Sequence, residues 1–186
     1  SYGGAAAMIR DFAPELPIVG IRPHVIRERT RQVLATFPGD VLYAVKCNDH
    51  PIVLETLQAA GVRHFDTASI NEIRTVRQLL PDAICHFMHP VKSAEAIAEA
   101  YVVHGVRRFV LDHPRELDKI VAATGGAEDL ELFVRLAVPG ECALLTLTGK
   151  FGTVPDEAIE LLRRAKTIAR ATGITTSKAP RPRASA

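Results

Sequence analysis

A chain of 186 residues, 47% of them hydrophobic and with no long low-complexity tract, can bury a core and is expected to fold as one domain or as part of one. A formal charge of +2, much of it in the closing "KAPRPR", is too small to mark a nucleic-acid surface, and no window is long and apolar enough to span a membrane. Cys47, Cys85 and Cys142 are odd in number and lack CxxC spacing, which argues against a disulfide framework or a zinc site and for a soluble protein of the reducing cytoplasm.

Residues 1–40 read as a lead-in with a helix from about Pro23 to Phe37. From residue 41 onward, short apolar runs alternate with helical patterns: "VLYAV", Val62 to Phe65, "AICHFM", "VRRFVL" and "LELFVRLAV". Their starts lie roughly 20 to 25 residues apart, the size of a compact βα unit. Pro51 opens the first intervening helix, whose Val53, Leu54, Leu57 and Ala60 share a face, and Gly61 closes it. Ser69 and Glu72 stand at capping-box spacing before a second helix. Ser93 caps the third, while Asp112 and Pro114 begin the fourth, which ends before Gly125 and Gly126. A last helix runs from about Pro155 to Thr172. Residues 174–186, rich in Pro, Ser, Thr and basic residues, read as a disordered tail with no apolar strand.

Five strands in this rhythm predict a parallel α/β sheet, either open and doubly wound or the wall of a partial (β/α)8 barrel. Both architectures gather reactive groups at strand C-terminal ends. Lys46, Asp66, His89, Asp112 and Arg135 all fall at or near such ends. Lys46 poses the sharpest question, because an ammonium at the end of a core-bound strand is costly unless paired, deprotonated or covalently used. In a partly desolvated pocket its amine could form a Schiff base with a carbonyl compound. Alternatively its stem packs beside Tyr43 and its head reaches water or a carboxylate. Glu72 closes the capping box or faces a ligand; Asp66 caps a turn or serves a site; Arg135, between Val134 and Leu136, faces inward or pairs with a surface acid. Lys150 shapes a loop or pairs with a carboxylate. His86 and His89 flank Met88 at a spacing that puts strand residues on opposite faces, so no metal site is expected.

Four segments carry a resemblance: "YAVKCND", "FDTASINEI", "HPVKS" and "LTGKFG". Together and in this order they resemble the fold-type III pyridoxal-phosphate decarboxylases, the ornithine, lysine, arginine and diaminopimelate group with an alanine-racemase-like barrel. The likeness spans residues from about 41 to 172 and is nearest the ornithine/lysine branch. It implies a partial TIM-type barrel domain over 41–173, with Lys46 holding pyridoxal 5'-phosphate covalently and later returning a proton. Asp66 and Arg135 are implied near the cofactor, and Glu72 and Lys150 shape the site. His89 stands where the family commonly has asparagine. The substrate implied is a basic amino acid, converted to an amine and carbon dioxide on the way to polyamines, in a homo-oligomer or beside a homologous subunit. The family's later histidine, glycine-rich phosphate loop, glutamate, closing strands and C-terminal domain do not occur here. The reading is therefore of a truncated chain, with a frameshift near residue 174, whose independent activity is not expected. The competing reading is a non-catalytic fragment that binds a homologous subunit or regulator.

Overall fold

A computed structural model of the chain describes residues 2–137, 151–172 and 175–176. Two helices, α1 (Ala5–Phe12) and α2 (Pro23–Thr36), precede the sheet. Then follow β1 (Leu42–Ala44), a single 3₁₀ turn (Val45–Cys47), α3 (Pro51–Ala59), β2 (His64–Thr67), α4 (Ile70–Leu79), β3 (Ile84–Phe87) and α5 (Ala94–Val102). The series continues with β4 (Arg108–Leu111), α6 (Pro114–Ala123), β5 (Glu131–Val134), α7 (Pro155–Thr172) and β6 (Thr175–Thr176).

Local chemistry sets the boundaries. The Ser69 hydroxyl accepts the Glu72 N–H at 3.2 Å and the Ser93 hydroxyl accepts that of Ala96 at 3.1 Å, each filling a donor the helix leaves orphaned. Proline occupies the first turn of α2, α3 and α6, where its missing N–H costs nothing. The start of α6 differs from the sequence expectation: His113, not Asp112, is its cap, its Nδ1 accepting the Arg115 N–H at 3.1 Å. His50 caps α3 in the same way through Ile52. Gly61 takes a positive φ of 116° just past α3, and its N–H donates to the Gln58 carbonyl at 2.9 Å, closing the helix before β2.

All strand pairs are parallel, and the strands lie side by side in chain order from β1 to β6. A doubly wound sheet would reverse direction partway, so this order is the wall of a barrel rather than a nucleotide-binding open sheet. β6 falls within 174–186, the stretch that shows no apolar strand in the sequence. Thr175 and Thr176 pair with Glu131 and Leu132 through backbone groups, which two β-branched residues can do without an apolar pattern to announce them.

Register fixes two unlike faces. Phe65, Cys85, Phe87, Phe109, Leu111 and Leu132 point at the helices and pack with Leu54, Ile73, Val76, Ile97, Leu117, Ile120 and Leu161, all buried. The alternate residues, His64, Asp66, His86, Arg108 and Glu131, share the opposite, barrel-interior face. There His64 Nδ1 and His86 Nε2 are 2.9 Å apart, and Arg108 grips Glu131 with two hydrogen bonds of 2.8 and 3.0 Å. Among the described residues no helix is long and apolar enough to cross a membrane.

Candidate active site

The strand C-terminal ends collect the residues singled out above. Lys46 sits in the 3₁₀ turn that follows β1, two residues past Ala44. This turn lifts it out of the core: Val45 is fully buried while Lys46 and Cys47 are exposed. The cost of a buried ammonium therefore does not arise at Lys46. The partly desolvated group is Asp66, half-buried on β2, whose carboxyl is raised above its ordinary range by burial and pulled back by the charges of Lys46 and Arg135. The charges of Lys46 and Arg135 thus both act on Asp66.

Arg135 follows β5 directly, its N–H bonded to the Leu111 carbonyl at 2.9 Å. Its side chain is exposed and lies against Phe151, with the guanidinium carbon 5.6 Å from the ring centroid. The segment from Phe151 returns alongside β5: Thr153 N–H donates to the Arg135 carbonyl and Ala137 N–H to the Thr153 carbonyl, both at 3.0 Å. Asp112, immediately after β4, accepts the Gly152 N–H at 2.9 Å. Gly152 has φ +106°, and a Cβ there would meet the Ala137 nitrogen at 2.6 Å, so the close approach requires glycine. Lys150 lies outside the described residues, as does Cys142.

Glu72 is engaged otherwise. Its own N–H is capped by Ser69 as the spacing predicts, but its carboxylate accepts the Ala68 N–H at 2.8 Å, one residue before the N-cap N–H that a reciprocal capping box would use. It fixes the β2–α4 turn that follows Asp66. His86 and His89 are kept apart: His86 is buried in β3 against His64, whereas His89 lies beyond the strand, with its Nδ1 2.7 Å from the Val91 carbonyl and its ring edge-on to Phe151. The described residues contain no group of three or more His, Cys, Asp or Glu arranged to hold a metal.

One functional residue was not foreseen. Lys92, in "HPVKS", has a side chain with 0% exposure; its Nζ donates to the His89 and Val110 carbonyls at 2.9 and 2.7 Å and pairs with Glu116 at 3.1 Å. Glu116 is buried too, and binds Lys119 as well. Burial pulls the Lys92 ammonium down to about 8 against the opposing pull of Glu116, so at neutral pH it remains a charged tie between the β3–α5 loop, β4 and α6. The signal for it was a lysine placed directly before the Ser93 cap, where the chain must turn inward.

The exposed amine of Lys46 beside a half-buried carboxylate fits the aldehyde end of a pyridoxal cofactor, since an accessible primary amine is what that carbonyl requires. Residues 23–175 match the family model described as "Pyridoxal-dependent decarboxylase, pyridoxal binding domain". A lysine/ornithine decarboxylase of Selenomonas ruminantium is 39% identical over 127 residues, covering 68% of this chain and 31% of that protein. An ornithine decarboxylase of Panagrellus redivivus is 38% identical over 151 residues, 80% of this chain and 34% of the relative. The chain thus spans about a third of the length of these relatives. Among solved structures, the lysine/ornithine decarboxylase of Vibrio vulnificus complexed with putrescine matches with a TM-score of 0.71 and 30% identity, over 92% of this chain and 42% of that one. The arginine decarboxylase of Paramecium bursaria Chlorella virus bound to agmatine matches with a TM-score of 0.69 and 28% identity, over 83% and 40%.

Proposed function

Because the chain belongs to the pyridoxal-dependent decarboxylases, through their pyridoxal-binding domain, we propose that it supplies the lysine-bearing half of a site that decarboxylates a basic amino acid, of ornithine or lysine type, to an amine that feeds polyamine synthesis. The observation that carries this reading is an exposed amine, Lys46, in the turn that follows β1, whose charge acts together with that of Arg135 on the half-buried Asp66 carboxyl of β2. When bound, pyridoxal phosphate supplies the electron sink that lets carbon dioxide leave.

The residues of this chain do the remaining work. Lys46 Nζ anchors the cofactor and returns a proton to the reacting carbon. The Asp66 carboxyl, half-desolvated and raised above the ordinary aspartate range, takes up a proton more readily than a surface aspartate does. Glu72 keeps the turn after Asp66 rigid by bonding Ala68. Arg135 adds a fixed positive charge on the far side of Asp66. The partners this assigns are a basic amino acid and a second, homologous subunit.

Titrating the purified chain and Lys46→Ala with pyridoxal phosphate, by absorbance and by mass spectrometry after borohydride reduction, tests the reading. A reduced adduct at Lys46, absent from the variant, is expected. Soluble, folded protein that gives no such adduct at saturating cofactor would overturn it.

A further inference from the structure

His89 is a residue that the proposed reaction leaves without a role, and its surroundings are fixed. Its ring nitrogen Nδ1 lies 2.7 Å from the Val91 carbonyl, and its own carbonyl receives Lys92 Nζ, which is locked in turn by Val110 and Glu116. Both the backbone and the ring of His89 are therefore held in place. Against that ring stands Phe151, centroids 5.2 Å apart and planes at 72°, an edge-to-face contact.

Phe151 is held from its other end as well. Gly152 is bonded to Asp112 and packed so closely on Leu136 and Ala137 that no side chain fits, and Thr153 is tied to the Arg135 carbonyl. The free side of the ring meets the Arg135 guanidinium at 5.6 Å, within reach of a cation–π attraction. Among the described residues no carboxylate makes an ion pair with Arg135, and a surface arginine without such a partner samples many rotamers. The ring is what restrains this cation.

We propose that Phe151, held between His89 and Arg135, is a positioning residue: its ring seats the Arg135 guanidinium just past the end of β5, from where its charge acts on Asp66, and His89 is the backstop that keeps the ring there. The functional consequence rests on the cofactor-site reading above, but the geometry does not. Phe151 touches none of the reacting groups; it acts through Arg135.

The experiment follows the Asp66 carboxyl by ¹³C NMR titration in the chain without cofactor. Arg135→Gln removes one of the two cations that hold this carboxyl down and so moves its titration upward, which sets the scale. Phe151→Leu is expected to move it in the same direction by a comparable amount, Phe151→Tyr to restore the wild-type curve, and the double variant Phe151→Leu/Arg135→Gln to shift no further than Arg135→Gln alone. A wild-type curve in Phe151→Leu overturns the proposal, as does an equal shift in Phe151→Tyr. Should Phe151→Leu not fold, His89→Ala is read instead: an upward shift supports the seat and an unchanged curve overturns it. A chain that shows these shifts yet forms no adduct at Lys46 keeps the positioning role and loses the cofactor reading, and the reverse result separates them the other way.

Discussion

The two faces of one sheet follow opposite rules. On the helix side Phe65, Phe87, Phe109, Leu111 and Leu132 form a dry layer in which burial of apolar area is the stabilising term. On the barrel-interior side the neighbouring residues in the same strands are His64, Asp66, His86, Arg108 and Glu131, which hold together by hydrogen bonds and charge. Four-residue strands thus carry packing on one side and protonation chemistry on the other, and a change to either face has a different signature: the first loses stability at every pH, the second alters how stability depends on pH.

The largest expected effect is on the dry face. Phe109, fully buried in β4 and packed near Phe87, should cost about 3–5 kcal/mol on conversion to alanine, through lost transfer energy and the cavity left behind. Urea melts should show that loss equally at pH 5 and pH 8. A difference between the two pH values larger than that of the parent would blur the distinction between the faces.

On the inner face His86 gives the next effect. Burial, with the positive charge of Arg108 and the neighbouring His64, pushes its imidazole down to about 3, whereas the unfolded chain regains the ordinary value of 6.5. Between those values the unfolded chain binds the extra proton, so stability falls as the pH drops from about 6.5 and the loss is complete near 3. Its Nδ1 is also buried without a hydrogen-bond partner, a cost that an apolar residue would remove. His86→Leu should therefore flatten the acid limb of the stability curve by up to about 1.4 kcal/mol per pH unit. Equal acid slopes for parent and variant would show that another group controls the limb.

Asp66 gives the smallest effect and the opposite direction. Its carboxyl is raised by burial, so the folded state holds the proton more firmly than the unfolded one; stability is greatest below the ordinary aspartate range and declines as the pH rises through the raised value. Asp66→Asn should then be slightly more stable than the parent at neutral pH, by about a few tenths of a kcal/mol because half of the carboxyl stays wet and two cations lose their counter-charge. The gain should vanish in acid, where both forms are neutral. Thermal midpoints at pH 7 and pH 3.5 decide it, and a variant less stable than the parent at pH 7 would mean that Asp66 contributes more as a partner of Lys46 and Arg135 than it loses by desolvation.

Much of the dry face was legible in the sequence. Helix caps at Ser69 and Ser93, prolines at helix starts, and strands every 20 to 24 residues over the first five all stand where pattern and punctuation put them. The inner face was not. Val62 to Phe65, "AICHFM", "VRRFVL" and "LELFVRLAV" read as apolar runs, yet the charged and imidazole side chains within or beside them form a second, polar side that only strand register makes visible. Lys46 was legible as chemistry, and of the environments the sequence left open the structure has the one that exposes it, through a single 3₁₀ turn after β1 that leaves no mark in composition. The Lys92 tie escaped notice since a lone lysine in a loop gives no hint of burial, and its partner Glu116 stands 24 residues away. Lys150 falls outside the described residues.

The strict chain order of the strands also bears on how the molecule comes into being. Each of the first five strands finds its hydrogen-bonding partner within one βα unit of itself, so closing each pair orders only a short stretch of chain. A sheet built this way can lengthen strand by strand from β1 as the polypeptide leaves the ribosome, each new strand using the last as a template, with no need to wait for a distant segment. The lysine on β1's turn and the aspartate on β2 would then be set against each other early, before Arg135 and Phe151 have been synthesised.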